Sequence, residues 1–156
     1  MNNKQLINAW SQFFIANSKS WSLYTITLTF KTSHDSKRIR DETRYLYQQN
    51  ILTKIRKQLK RNHNTNQETI PCSEFWFQEF DEKNKSKANK FSPHHIHGIL
   101  PIQRELTHKF WDYENNQVVK RLQKDIKSLR YVADFEIKPI ELDKIYSWVT
   151  YCVKGK

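Results

Sequence analysis

Residues 20–30, SWSLYTITLTF, alternate in type along their whole length. Tyr24, Ile26, Leu28 and Phe30 fall on one face, and Thr25, Thr27 and Thr29 on the other. A period of two belongs to a half-buried β-strand, because successive side chains of a strand point to opposite faces of its sheet. Three further stretches read as strands that could pair with it. EFWFQEFD (74–81) alternates and is rich in aromatics, HHIHGILPI (94–102) ends near Pro101, and YVADFEIKPI (131–140) follows later.

Helical periodicity fills the intervals. An N-terminal amphipathic helix over about 3–16 carries Leu6, Ile7, Trp10, Phe13 and Phe14 on one stripe. A helix over 41–60 has Asp41 and Glu42 at its start and Lys57 and Lys60 at its end, with Arg61 just beyond, as the helix dipole favours. Its buried stripe is Leu52, Ile55 and Leu59. A short helix is expected over 104–113. A better one spans 117–130, with Val118, Leu122, Ile126 and Leu129 inward. The last covers 141–156, with Leu142, Ile145, Val149 and Cys152 inward and a stop near Gly155. The order helix, strand, helix, strand, strand, helix, strand, helix predicts an α+β fold. A ferredoxin-like central antiparallel β-sheet would carry flanking helices, with 74–81 and 94–102 forming a hairpin. The chain of 156 residues is the size of one domain, 1–156.

Lys and Arg number 27 against 16 Asp and Glu, a formal charge of +11. Such an excess points to a polyanionic partner, nucleic acid before an anionic membrane. No apolar run approaches the ~20 residues of a membrane span, and the N-terminus lacks the layout of a signal peptide. Cys72 and Cys152 stand in no paired motif and read as reduced thiols of a cytoplasmic protein.

Chemistry concentrates at Pro93-His94-His95-Ile96-His97-Gly98, which holds three of the six histidines. On a strand His95 and His97 share a face, about 7 Å apart at the backbone, and Ile96 points the other way, into the core. Two imidazoles so placed can reach one metal ion, and a carboxylate from the neighbouring strand would complete a site of two histidines and one acid. Glu79 is the acid expected there. The competing reading is a run of polar residues at a sheet edge. Zinc held by the histidines and a cysteine fits less well, because His94 points away and no pair has structural zinc spacing. Open positions for water and phosphate oxygens suit Mn²⁺ or Mg²⁺.

On the last helix Tyr151 and Lys154 are three residues apart and share a face. A phenol, with a reference pKa near ~10, needs a partner to serve as a nucleophile at neutral pH. Lys154 can stabilise developing charge, and a nearby metal can align a phosphate for in-line attack. The plainer reading is a surface tyrosine beside a basic terminus. Tyr146 lies about 140° around the helix from Tyr151 and is expected to be structural.

Three motifs in order resemble those of the HUH endonucleases, the superfamily of relaxases and rolling-circle replication initiators. They are the hydrophobic strand YTITLTF (24–30), His95-Ile96-His97 followed by Gly98, and Tyr151-Cys152-Val153-Lys154, similar to the Tyr-x-x-Lys of single-tyrosine Rep proteins. Glu79 stands where such Reps place a metal-binding acid. The resemblance spans about residues 20–155 and implies a metal-dependent, single-strand-specific DNA nickase and ligase. Tyr151 would form a 5′-phosphotyrosine link and release a 3′-OH, on an origin or hairpin loop, with no nucleotide cofactor. A host helicase is a further expected partner. The expected location is the cytoplasm, at the nucleoid in a bacterium, or the nucleus for a eukaryotic virus. The chain ends just after the third motif and reads either as a minimal Rep or as the nuclease domain of a longer one.

Lys83, Lys85, Lys87 and Lys90, in a loop longer than the family's usual one, are candidates to clamp DNA phosphates, as are Arg38, Arg40 and Arg44. Solvated charge is the alternative for both groups. Phe75, Phe77 and Trp148 could stack on an unpaired base or pack beneath the last helix. Two other functions remain open. A small tyrosine transposase of the same superfamily usually pairs its tyrosine with glutamine and lacks the acid on the second strand. A non-catalytic nucleic-acid-binding module would explain charge and aromatics but leave His95, His97, Glu79, Tyr151 and Lys154 as coincidence.

Overall fold

The computed structural model describes residues 2–31, 50–59, 69–80, 91–111, 117–129 and 132–154; within these, the side chains of 31, 79, 80, 91–94, 117 and 154 lie outside the description. Among the described residues the elements are α1 (Asn3–Asn17), β1 (Trp21–Lys31), α2 (Leu52–Leu59), β2 (Trp76–Phe80), β3 (Phe91–Gln103), α3 (Thr107–Phe110), α4 (Gln117–Lys127), β4 (Val132–Pro139) and α5 (Ile145–Lys154). Single 3₁₀ turns at Arg104–Leu106 and Leu142–Lys144 lead into α3 and α5. The four strands form one sheet in the order β2-β3-β1-β4 with every neighbouring pair antiparallel, which is the ferredoxin-like arrangement. The expected hairpin of β2 and β3 is present.

Alternation in β1 sets up two cores. Tyr24, Ile26, Leu28 and Phe30 are buried with Ile96, Leu100, Phe135 and Ile137 beneath α2 and α4. Leu23 and Ile99, from the opposite face, are buried with Phe14 of α1 and with Ile145, Val149, Cys152 and Val153 of α5. The molecule is therefore layered, with α2 and α4 on one side of the sheet and α1 and α5 on the other.

Local chemistry fixes the ends of these elements. Asn2 caps α1: its Oδ1 accepts from the Gln5 backbone N–H at 2.8 Å, and Gln5 Oε1 accepts from the Asn2 N–H at 3.0 Å. This is the reciprocal capping box, here built on asparagine. The Arg104 guanidinium donates to the carbonyls of Ser18, Lys19 and Trp21, tying the end of β3 to the turn between α1 and β1. β3 runs past Pro101 to Gln103, further than expected. Pro101 is tolerated because the paired residues of β2 end opposite Gly98, and the missing N–H falls where no strand waits for it.

Several expected details are corrected. The helix over 117–130 buries Val119 rather than Val118, beside Leu122 and Ile126. Leu142 is 54% exposed, because it belongs to the 3₁₀ turn ahead of α5, and Val153 joins the buried stripe instead. The 41–49 part of the second helix lies outside the described residues; its Leu52, Ile55 and Leu59 stripe is buried as expected. Both cysteines are buried and neither is in a disulfide. Burial pushes the Cys72 thiol up to about 11, helped by the thiol's bond to Glu74 Oε2 and by that carboxylate's charge, so it stays protonated.

Candidate active site

The histidines sit on the central strand β3, where the register gives each two neighbours. His97 lies between Phe77 of β2 and Thr27 of β1, and His95 between Glu79 and Thr29. Ile96 is buried in the α2/α4 core, so His95 and His97 turn to the α1/α5 face, as the alternation requires. Their ring centroids are 4.6 Å apart with planes at 76°. Glu79 has its backbone directly opposite His95, on the strand where an acid was expected; its side chain lies outside the described residues.

α5 delivers the tyrosine. Ile145, Val149, Cys152 and Val153 bury one side of this helix against the sheet and α1. Tyr151 lies at the edge of that stripe, 48% exposed, with its ring centroid 4.8 Å from that of His97. Its hydroxyl oxygen is 3.4 Å from His97 Nε2. His97 is 6% exposed, and its other nitrogen, Nδ1, is 3.2 Å from Thr27 Oγ1. Two tautomers satisfy both contacts. The one with the proton on Nδ1 donates to Thr27 and leaves the Nε2 lone pair on the Tyr151 side, where it can accept the phenol proton.

Trp148 completes the cluster. Its indole N–H donates to the Gly98 carbonyl at 2.8 Å, which pins α5 to β3 one residue beyond His97. Its ring stacks on Tyr151 at 5.3 Å and 27°, and meets His97 edge-on at 5.7 Å. Trp148 was expected either to stack on an unpaired base or to pack beneath the last helix; its indole packs between helix and strand. Phe75 is buried between α1 and α5 against Trp10 and Phe14 and presents no face to a base, which is the packing alternative. Phe77 is half-buried beside it.

Tyr146, expected to be structural, is 51% exposed. It follows the buried Ile145 by one residue and so lies about 100° around the helix from the core. Lys154 is the last residue of α5, with its side chain outside the described residues. Lys83, Lys85, Lys87 and Lys90, and Arg38, Arg40 and Arg44, also lie outside them.

Among the described side chains, which do not include that of Glu79, no three of His, Cys, Asp or Glu converge. The donors at hand are nonetheless of the right kind. Two imidazoles on one strand face, one of them oriented through Nδ1 by a hydroxyl, suit a divalent ion that also takes carboxylate oxygens. Thr27 was not singled out beforehand. Its type and face were readable, but its position beside His97 depends on the β1–β3 register, which only the folded sheet reveals. No protein-family model matches this chain, and neither a curated protein nor a solved structure matches it.

Proposed function

We propose that the protein is a metal-dependent, sequence-specific nickase and strand transferase of single-stranded DNA. It would initiate rolling-circle replication of a plasmid, phage or small circular virus. The observation that carries this reading is the Tyr151 hydroxyl held 3.4 Å from His97 Nε2, with His95 alongside and Tyr151 itself half exposed, in a chain with a charge of +11. A tyrosine that is both solvent-reachable and packed on imidazole is arranged for chemistry on a bulky substrate.

In this reading Tyr151 Oη forms a bond to the scissile phosphorus and the bond to the 3′ oxygen breaks. The proton lost by the phenol is balanced by the one the leaving oxygen gains. The products are a 5′-phosphotyrosine and a 3′-OH, and the same step reversed rejoins strands. Mn²⁺ or Mg²⁺ held by His95, His97 and Glu79 would neutralise charge on the scissile phosphate. Thr27 fixes the His97 ring, Trp148 fixes the Tyr151 ring, and Lys154 supplies positive charge at the end of α5. A host helicase would open the duplex ahead of the 3′-OH.

Tyr151 stacked on Trp148 also favours a second reading, a base-stacking platform in a module that binds nucleic acid without cutting it. A covalent trapping gel separates the two. The protein is incubated with Mn²⁺ and labelled single-stranded oligonucleotides, random and hairpin-bearing, then resolved in denaturing detergent. A slow labelled band that disappears with chelator and with Tyr151→Phe is the expected result. Tight binding with no such band on any substrate would replace the nickase by the binding module.

A further inference from the structure

On the side of the sheet away from Tyr151, α2 and α4 leave a cleft of about 260 Å³ between them. Lys54, Lys57 and Gln58 of α2 form one wall, and Arg121, Leu122 and Asp125 of α4 the other. We propose that this cleft is a second DNA-binding site that holds backbone phosphates on the layer opposite the tyrosine.

The cations come from both walls. Lys54 and Lys57 are three residues apart and share a helix face. Arg121 faces them with a planar fork suited to two phosphate oxygens. Among the described residues none of the three makes an ion pair. Gln58 adds a neutral donor. Asp125, one turn beyond Arg121 on the same wall, is a carboxylate that repels phosphate, but three cations outnumber it. Helix packing keeps these residues in place: Leu52, Ile55 and Leu59 anchor α2, and Val119, Leu122 and Ile126 anchor α4, in one core. The cleft is concave, so it admits a ridge of phosphates and not a flat bilayer. Its charge matches the polyanion that the whole chain's excess of Lys and Arg calls for. The site goes beyond the nickase reading and stands or falls independently of it.

The test is binding in chelator, so that no strand is cut. Fluorescence anisotropy of the full chain is followed with a labelled single strand and with a labelled duplex, each of about 30 nucleotides per strand, across a salt series. In Lys57→Ala/Arg121→Ala the affinity for at least one probe should fall about tenfold, and the slope of log affinity against log salt should drop by about 1.5 to 2. The probe that loses more identifies the strand form held there. Lys4→Ala/Lys19→Ala removes the same charge elsewhere and should do less. On the unaltered protein, bound DNA should protect Lys54 and Lys57 from acetylation at least about threefold more than Lys4. Unchanged affinity and slope with both probes, a loss no greater than the control's, or equal acetylation with and without DNA would overturn the proposal.

Discussion

At residue 98 a side chain is excluded by the neighbouring strand. A Cβ there would overlap the Phe75 carbonyl oxygen and come within 3.1 Å of Trp76 Cα. The close approach has a purpose, since that carbonyl accepts the Ile99 N–H at 3.1 Å and so locks the start of β2 beside the histidines. Gly98→Ala should cost about 1–3 kcal/mol, the usual range for overpacking, read as a lower urea midpoint with an unchanged slope. Thr27 acts through its oxygen. Thr27→Val keeps the shape but removes the partner of His97 Nδ1. Stability should fall by about 1 kcal/mol, whereas Mn²⁺ affinity by calorimetry should drop about tenfold or more, as when an orienting partner of a ligand histidine is lost. An unchanged affinity would show that Nδ1 needs no partner to present Nε2. The histidines and Tyr151 were legible because alternation and helical spacing act within one segment. Thr27 was not, because its importance lies in a contact 70 residues away in sequence.

At the level of elements, α5 is where reading and structure diverge most. The apolar spacing located the helix, but it turned Tyr151 roughly away from the core, where the structure sets it at the edge of the buried side, and it took Leu142 as part of that side. A 3₁₀ turn over Leu142–Lys144 breaks the helical phase, so positions before Ile145 do not continue the stripe. Besides its buried stripe, the same helix is pinned by Trp148, whose bond ends on a backbone carbonyl that no side-chain pattern could announce. Two substitutions separate its roles. Trp148→Phe keeps a ring against Tyr151 but leaves the Gly98 carbonyl without the indole donor, and should lower stability by about 1 kcal/mol. Trp148→Ala should cost about 3 kcal/mol or more. If Trp148 is a positioning residue for Tyr151, the alanine variant should also slow covalent trapping well beyond the phenylalanine variant, with Mn²⁺ affinity unchanged in both. Equal trapping rates at a temperature where both are folded would reduce Trp148 to packing alone.

Taken whole, the molecule is a sheet between two separate apolar layers. The strand order was foreseeable from the succession of elements. The α2 and α4 segments each cross between strands that lie two apart in the sheet, with a third strand between them, so both must cover one face. The last helix was expected over the histidine face, but the share of α1 in covering it was not foreseeable, since α1 and α5 stand at opposite ends of the chain and meet only in three dimensions. Phe14 is their keystone: it is fully buried, stacks on Trp10 at 5.6 Å and meets Phe75 edge-on at 5.3 Å. Among the described residues this layer holds far fewer buried ones than the α2/α4 core, so it should open first. Native-state hydrogen exchange should therefore find α1 and α5 opening together, at a lower free energy than the amides of β1 and β3. Phe14→Ala should cost about 3–5 kcal/mol and should deepen that difference, speeding exchange in α5 more than in α2 or α4. Because Tyr151 rides on α5, the same variant should separate Tyr151 from His97 and quench trapping before the sheet unfolds. Uniform loss of protection across all elements would instead mean that the two layers fold as one cooperative unit, and that the tyrosine can leave the histidines only when the whole chain unfolds.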